Sequence, residues 1–180
     1  MLEADIEETP AGRVVRDGGW FILNIGEMAC KTVPGFGAWC SFDAPTKDAD
    51  EPGIGVHIHV LMPGEANGYY HAEDAQEGFL VLSGECIAIV EGQERLMRQW
   101  DYLHSPPGTA HITVGAGAAP CAMLMFGSPD PNRKVKWIAD EVAAKYKASV
   151  ARTTGDAREA YEAAVAVAPG RAPAPFNPTA

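Results

Sequence analysis

The chain has few basic residues and no long apolar run, and each absence excludes a class of protein. Its 14 lysines and arginines are outnumbered by 24 aspartates and glutamates, which gives a net charge of −10. Nucleic-acid binding calls for a basic face, so we expect no nucleic-acid partner. No segment approaches the roughly 18 consecutive apolar residues of a membrane span, so we expect no membrane partner.

Cysteine is also scarce, and an export signal is missing. The four cysteines are Cys30, Cys40, Cys86 and Cys121, and none of them stands in a CxxC spacing. The first residues, MLEADIEETPAGR, are acidic and lack the apolar core of a signal peptide. We therefore expect a cytoplasmic protein whose thiols are reduced and mostly buried.

Strand signals dominate the first two thirds of the chain. Short, frequently alternating segments are separated by glycine, proline, aspartate or asparagine, which is typical of an all-β sandwich or barrel. The predicted strands are 20–25, 37–42, 55–61, 68–72, 78–82, 86–91, 94–98, 102–104, 110–114 and 121–126. Glu91-Gly92-Gln93 is a predicted hairpin turn, and 44–52 is a predicted exposed loop.

The last third has helical spacing instead. Residues 138–150 place Ile138, Val142 and Tyr146 on one helical face. Asp156 is a candidate N-cap of a second helix, 157–168, and the proline- and alanine-rich end is predicted to be extended or disordered. The predicted segments are an N-terminal tail (1–17), a β-barrel (18–128), a helical extension (129–168) and a Pro/Ala-rich tail (169–180).

Two short blocks carry candidate metal ligands. The first, GYYHAEDAQEGFLVLSGE, spans 68–85 and contains His71, Glu73 and Glu77. Residues two apart on a strand point to the same face, so His71 and Glu73 project side by side. The second, DYLHSPPGTAH, spans 101–111, and its PPG turn leads into a strand that begins at His111. Imidazole and carboxylate are the usual ligands of zinc, iron, nickel and manganese.

The two blocks resemble the two motifs of the cupin superfamily, as they occur in small single-domain bacterial cupins. Those motifs read approximately G-x5-H-x-H-x(3,4)-E-x6-G and G-x5-P-x-G-x2-H-x3-N. Glu77 is followed by six residues and then by Gly84, and Pro106, Gly108 and His111 match P-x-G-x2-H. The surrounding strand pattern extends the resemblance to residues 18–128.

The chain departs from those motifs at four positions. Glu73 stands where the second histidine is expected, and Gly64 is one residue further from His71 than the pattern asks. Trp100 replaces a glycine and Gly115 replaces the asparagine. The first departure matters most, because it changes the ligand set.

The resemblance implies a double-stranded β-helix, or jelly roll, with a C-terminal helical extension. It implies a divalent transition metal (Fe, Mn, Zn or Ni), a homodimer, and a small-molecule substrate or ligand inside the barrel. The favoured function is a metal-dependent enzyme, oxygenase-like or isomerase/lyase-like. The alternatives are a non-catalytic small-molecule-binding or sensing cupin and a structural barrel with a vestigial site.

The role of Glu73 and the membership of the ligand set stay open at this level. Glu73 is predicted to bind the metal with His71, Glu77 and His111, to act as a catalytic base or to support the ligands without binding the ion, or to turn away from the site. The alternates that can replace a missing ligand are His59, with His57 on the same strand face, Gln76 and His104. Strand parity also predicts that Phe79 and Val81 point inward with Glu77, and that Met123 and Met125 share one face.

Overall fold

Antiparallel strands make up most of the fold in the computed structural model, which describes residues 2–42, 53–128, 130, 132–161 and 167–176. The strands are β1 (Ile6–Thr9), β2 (Gly12–Val15), β3 (Ala29–Val33), β4 (Gly37–Ser41), β5 (Gly55–Leu61), β6 (His71–Glu73), β7 (Glu77–Ser83), β8 (Glu85–Val90), β9 (Gln93–Arg98), β10 (Tyr102–Ser105), β11 (His111–Ala116), β12 (Cys121–Gly127), β13 (Val135–Trp137) and β14 (Ala168–Arg171). The helices are α1 (Glu141–Ala144) and α2 (Ala157–Ala160), and Ile25–Glu27 forms a 3-10 turn. None of the described helices is long and apolar enough to cross a membrane.

Two sheets face each other across a common core. The larger has the order β10-β7-β12-β5-β4-β3-β14, the smaller has the order β13-β6-β11-β8-β9, and β1 and β2 form a separate hairpin. Leu61, Val81 and Met123 of the larger sheet pack against Cys86 and Met97 of the smaller one, and all five are buried. The all-β jelly roll predicted from the sequence is confirmed.

Tight turns join the strands that carry the site. Glu91 and Gly92 both have positive φ, +48° and +70°, which is the geometry of a type I′ hairpin, so the predicted turn is confirmed. Gly84 links β7 to β8 at φ +72°, and a Cβ there would lie 2.3 Å from the carbonyl oxygen of Pro120. Only glycine meets both requirements at this position without strain.

Most predicted strands coincide with observed ones, and one is wrong. The segment 20–25 contains an isolated bridge at Trp20 and then the start of a 3-10 turn. The strands that the pattern missed are β1, β2, β3, β13 and β14. Strands β1 and β2 lie inside the predicted N-terminal tail, where exposed polar residues hide the alternation that marks a half-buried strand.

The expectation that all thiols are reduced is wrong for two cysteines. Cys30 and Cys40 form a disulfide, and their Cα atoms lie 4.4 Å apart. Strands β3 and β4 pair antiparallel with Lys31 opposite Trp39, which brings the two cysteines side by side. Because β3 was not recognised in the sequence, nothing there indicated the pairing. Cys86 and Cys121 are free and buried, as expected.

The C-terminal segment covers the outer faces of both sheets. Ile138, Val142 and Tyr146 pack against a cluster on the smaller sheet, so their predicted common face is confirmed, although α1 is much shorter than 138–150. Asp156 caps α2 by accepting from the backbone N–H of Arg158, as predicted.

The chain end continues this cover. Strand β14 pairs with β3, and Phe176 packs near Ile58 and Val60 on the outer face of the larger sheet. Part of the predicted helix 157–168 and all of the predicted loop 44–52 lie outside the described residues. The predicted segment boundaries stay predictions.

Candidate metal site

Three predicted ligands meet between the two sheets. His71 on β6 is paired directly with His111 at the start of β11, while Glu77 begins β7 in the facing sheet. Oε2 of Glu77 lies 2.9 Å from Nε2 of His111 and 3.9 Å from Nε2 of His71. One donor atom from each residue lies within 4.8 Å of the other two. We call this group the His-Glu-His cluster.

Backbone carbonyls fix the orientation of both imidazoles. Nδ1 of His71 lies 2.8 Å from the carbonyl oxygen of Tyr69, and Nδ1 of His111 lies 2.9 Å from that of Thr109. A carbonyl only accepts, so we assign the ring hydrogen to Nδ1 in each case. Each Nε2 then presents a lone pair to the centre of the cluster, which is the arrangement of metal-binding histidines.

The cluster fits a divalent ion. Nε2 of His111 and Oε2 of Glu77 are buried and, within the described part of the chain, have no partner in good hydrogen-bond geometry. Ligands held by bonds of about 2.0–2.2 Å lie roughly 3.0–3.4 Å from one another around one ion. The 2.9 and 3.9 Å separations bracket that range. Small side-chain shifts therefore suffice to place the three donors around a transition metal.

Charges within the cluster favour the metal-binding form of Glu77 and His71 but the protonated form of His111. Burial tends to raise the pKa of Glu77, but the contact with His111 outweighs it and lowers that pKa. Burial, helped by the neighbouring charge of His111, lowers the pKa of His71. For His111, burial is outweighed by the nearby carboxylate of Glu77, so its pKa is raised. The carboxylate and the His71 ring are thus in the states that bind a metal.

The comparisons with known proteins agree with this geometry. Residues 57–127, which contain all three members of the cluster, match the family model described as Cupin domain. The chain contains a cupin domain. The resemblance stated from the two motifs is therefore confirmed.

Solved structures similar to the chain include other cupins. A proposed sugar phosphate isomerase from Acidithiobacillus ferrooxidans has 21% identity and a TM-score of 0.47. The match covers 57% of this chain and 65% of that one, so it spans less than two thirds of that protein's length. A cupin-superfamily sugar phosphate isomerase from Silicibacter pomeroyi has 18% identity and a TM-score of 0.48, over 67% and 73%. A cupin protein from Bacteroides fragilis has 20% identity and a TM-score of 0.41, over 46% and 70%. A search of the curated proteins found no match.

Glu73 of the cupin domain turns toward a residue that the sequence did not single out. Its side chain is 5% exposed, and Oε2 lies 3.1 Å from Nε of Arg133. Burial raises the pKa of this carboxyl. Arg133 lies in the predicted helical extension, after the predicted barrel, and no spacing relates it to the motifs. The structure thus brings His71, Glu77 and His111 together and pairs Glu73 with Arg133.

The alternates lie outside the His-Glu-His cluster. Gln76 and His104 are exposed, and neither joins a metal-binding group among the described residues. His59 is buried on β5, where its ring stacks on Trp39 at a centroid distance of 6.2 Å. His57, on the same strand face, lines the cavity above the cluster.

A cavity of about 320 Å³ opens onto the cluster. Glu73, Arg133 and Met125 are among its lining residues, together with His57 and Asn67. Below it, the ring of Phe79 packs edge-on against His111 at 5.2 Å. Phe79 and Val81 are buried, as strand parity predicted, so the cluster has an apolar floor and a polar opening.

We expect the buried His59 to make the stability of the cupin domain depend on pH. Burial lowers its pKa from 6.5 to about 3, so the unfolded state binds a proton that the folded state rejects between these values. The contribution is complete above the unfolded pKa and is lost as the pH falls below it, by about 1.4 kcal/mol for each pH unit. Urea denaturation at pH 7.5 and 5.5 measures it.

The matched variant is His59→Phe, which keeps a ring beside Trp39 but does not titrate. Its free energy of unfolding should fall less than that of the wild type between the two pH values, by about 1.4 kcal/mol. Equal slopes for the two proteins would show that His59 is protonated in the folded state.

Proposed function

We propose that this cupin binds one divalent transition-metal ion through His71, Glu77 and His111 and acts as a metal-dependent enzyme on a small organic molecule. The observation that carries the proposal is the convergence of the three donor atoms at the floor of an open cavity. Two histidines and one carboxylate leave coordination positions free for a substrate or water. The reaction type is proposed as oxygenase-like or isomerase/lyase-like.

The chain's own residues prepare the site for that chemistry. A bound divalent ion supplies Lewis-acid or redox chemistry at the positions that face the cavity. The carbonyls of Tyr69 and Thr109 hold the two imidazoles in the ligating tautomer, and Phe79 keeps water away from the far side of His111. The cavity side remains open, so a substrate reaches the cluster from one direction.

Glu73 and Arg133 form the polar wall beside the cluster. Both side chains line the cavity, and the carboxylate is held by the guanidinium rather than directed at the cluster. This geometry supports Glu73 as a group that exchanges a proton with the bound substrate, which is the catalytic role predicted for it, and disfavours ligation. Arg133 carries five N–H donors. Its contacts in the described residues are with Glu73 and the carbonyl of Ser128, so donors remain for an anionic substrate group.

We expect Glu73→Gln to leave metal affinity within about threefold of the wild type, because an amide keeps the shape of a side chain that is not a ligand. Loss of a ligand, by contrast, costs more than the 10–100-fold that loss of a supporting contact costs. Titration of metal-free protein against a chromogenic chelator measures the affinity. A drop of more than 100-fold would show that Glu73 binds the ion.

The proposal as a whole is tested by metal content. Protein purified without chelator is examined by elemental analysis, and metal-free protein is then titrated with Fe(II), Mn(II), Zn(II) and Ni(II) while the melting temperature is followed. We expect one ion per chain and a rise in melting temperature, because a ligand that binds only the folded state stabilises it. A folded protein that takes up none of the four ions would reject the proposal and favour a structural barrel.

Two further expectations remain predictions. Metal and small-molecule binding without turnover in a broad substrate screen would favour the binding or sensing alternative. The homodimer and the cytoplasmic location also stay predictions, and light scattering coupled to gel filtration tests the first of them.

A further inference from the structure

A second cavity of about 390 Å³ adjoins the one above the His-Glu-His cluster. His57 and Asn67 line both cavities, so the two spaces are neighbours on either side of these side chains. The other side chains of its wall include Val33, Phe36, Trp39, His59, Tyr161 and Val167. We call this space the aromatic chamber.

The wall of the aromatic chamber is apolar and uncharged. Three of its residues, Phe36, Trp39 and Tyr161, present aromatic rings. Among the described residues, no aspartate, glutamate, lysine or arginine lines it. Its polar atoms belong to imidazoles, an amide and a phenol. Such a wall favours a flat apolar group and penalises a charged one.

The chamber is large enough for a substituted ring. An apolar cavity of roughly 150 Å³ holds benzene in another protein. At about 390 Å³, the chamber exceeds that volume more than twofold. The neighbouring cavity ends at the His-Glu-His cluster and Arg133, where an anion would bind. The two cavities together therefore match a molecule with a ring at one end and a negative group at the other.

Much of the chamber comes from outside the segment that matches the cupin family. Val33, Phe36 and Trp39 precede residue 57, and Tyr161 and Val167 follow residue 127. The ring of Phe36 lies 5.9 Å from that of Tyr161, so the β3–β4 turn and the segment after α2 meet at the chamber. The matched segment alone therefore does not build the chamber.

We infer that the aromatic chamber binds the ring of an aromatic carboxylate whose carboxylate group lies at the His-Glu-His cluster beside Arg133. Placement of the carboxylate rests on the proposed function, because it requires the metal. Placement of the ring rests on the chamber alone. The substrate class of the proposed enzyme is therefore a small aromatic acid.

Three probes separate the two ends of such a ligand. Benzoate has the ring and the carboxylate, acetate has the carboxylate only, and benzyl alcohol has the ring without the charge. Binding to the zinc-loaded protein is measured by calorimetry. We expect benzoate to bind at least tenfold more tightly than either acetate or benzyl alcohol.

Variants of the chamber wall test where the ring lies. Val33 is buried, and Val33→Phe fills the chamber, so benzoate should bind at least tenfold more weakly while acetate and zinc stoichiometry stay unchanged. Phe36→Ala removes a half-buried ring at a turn and should weaken benzoate selectively if Val33→Phe fails to fold. Leu96→Phe, at an exposed position of β9 outside both cavities, is the matched control and should change nothing.

The outcomes distinguish the two proposals. Benzoate that binds no better than acetate, or that weakens no more than acetate in both wall variants, overturns the inference and leaves the metal site standing. If the protein binds none of the four ions, the proposed function fails, and benzyl alcohol with metal-free protein decides on the chamber. If metal-free protein binds benzyl alcohol and Val33→Phe weakens that binding tenfold, the ring site is supported. If metal-free protein binds no detectable benzyl alcohol, the ring site is overturned.

Discussion

Replacing His111 with alanine is expected to lower affinity for a divalent metal by at least about 100-fold. The imidazole supplies one of three donor atoms, and its Nε2 lies 2.9 Å from Oε2 of Glu77 at the centre of the cluster. Loss of a contact that merely supports a ligand costs 10–100-fold, so loss of a ligand costs more. Competition with a chromogenic chelator measures the affinity of metal-free protein.

A second substitution and a control make this result specific. His111 is almost fully buried, so the alanine variant leaves a cavity, and a loss of binding has to be separated from a loss of fold. His71→Ala, at a partly exposed ligand, should show the same loss with less damage to stability. His104→Ala, at an exposed position of β10, should bind metal like the wild type. Unchanged affinity in either ligand variant would remove that residue from the site.

The strands that the sequence predicted best are those whose apolar residues alternate or run together between turn residues. Strand β5, Gly55–Leu61, alternates strongly and is bounded by turn residues, and its predicted limits agree with the structure. The hairpin of β1 and β2 lies mostly at the surface and gives no such signal. Strand β3 gave no such signal either, so it was missed, and the disulfide between Cys30 and Cys40 was missed with it.

The residues of the site also divide into those whose positions the sequence predicts and one whose direction it does not. His71 and His111 lie on paired strands of one sheet, and Glu77 begins a strand of the facing sheet. Short turns set these positions, so motif spacing predicts their approach. The direction of Glu73 depends on Arg133, which reaches it through the β13 connection after the barrel is complete. No local pattern encodes that meeting. The resemblance identified Glu73 as the unusual residue, and only the three-dimensional pairing shows where its carboxylate turns.

Electrostatics gives a physical reason for the pairing. A second buried carboxylate beside Glu77 is costly, and the charge of Glu77 adds to burial in raising the pKa of Glu73. Arg133, with its side chain 43% exposed, offsets part of that cost while remaining open to the cavity. Glu73, which stands where a histidine is expected, and Arg133 therefore form one charge-paired unit. That arrangement places a paired carboxylate and a cation where a substrate would approach.

The aromatic chamber lies furthest from what the sequence predicts. Its rings come from the β3–β4 turn, from β4 and from the segment after α2, which are distant in the chain. Apolar residues at such positions are ordinarily core residues, and nothing in their local spacing marks a cavity. Their convergence depends on how the segment after α2 packs against β4 and the β3–β4 turn.

The turn between β7 and β8 leaves no room for an added methyl group at Gly84. Gly84→Ala is expected to lower the free energy of unfolding by about 2–5 kcal/mol. A residue with a Cβ costs about 1–2 kcal/mol at positive φ, and overpacking against a rigid neighbour costs about 1–3 kcal/mol more. Here φ is +72°, and the added carbon would lie 2.3 Å from the carbonyl oxygen of Pro120. Urea denaturation of the two proteins at pH 7.5 measures the difference.

Gly64→Ala separates the two contributions to that cost. Gly64 has a similar φ of +86°, but no atom lies within 4 Å of the Cβ that alanine would add. Only the backbone penalty applies, so we expect a loss of about 1–2 kcal/mol. Equal losses in the two variants would mean that the chain near Pro120 moves aside. Since β7 carries Glu77 at its other end, such a movement should also weaken metal binding in Gly84→Ala and leave Gly64→Ala unaffected, so the same chelator titration checks the turn and the site together.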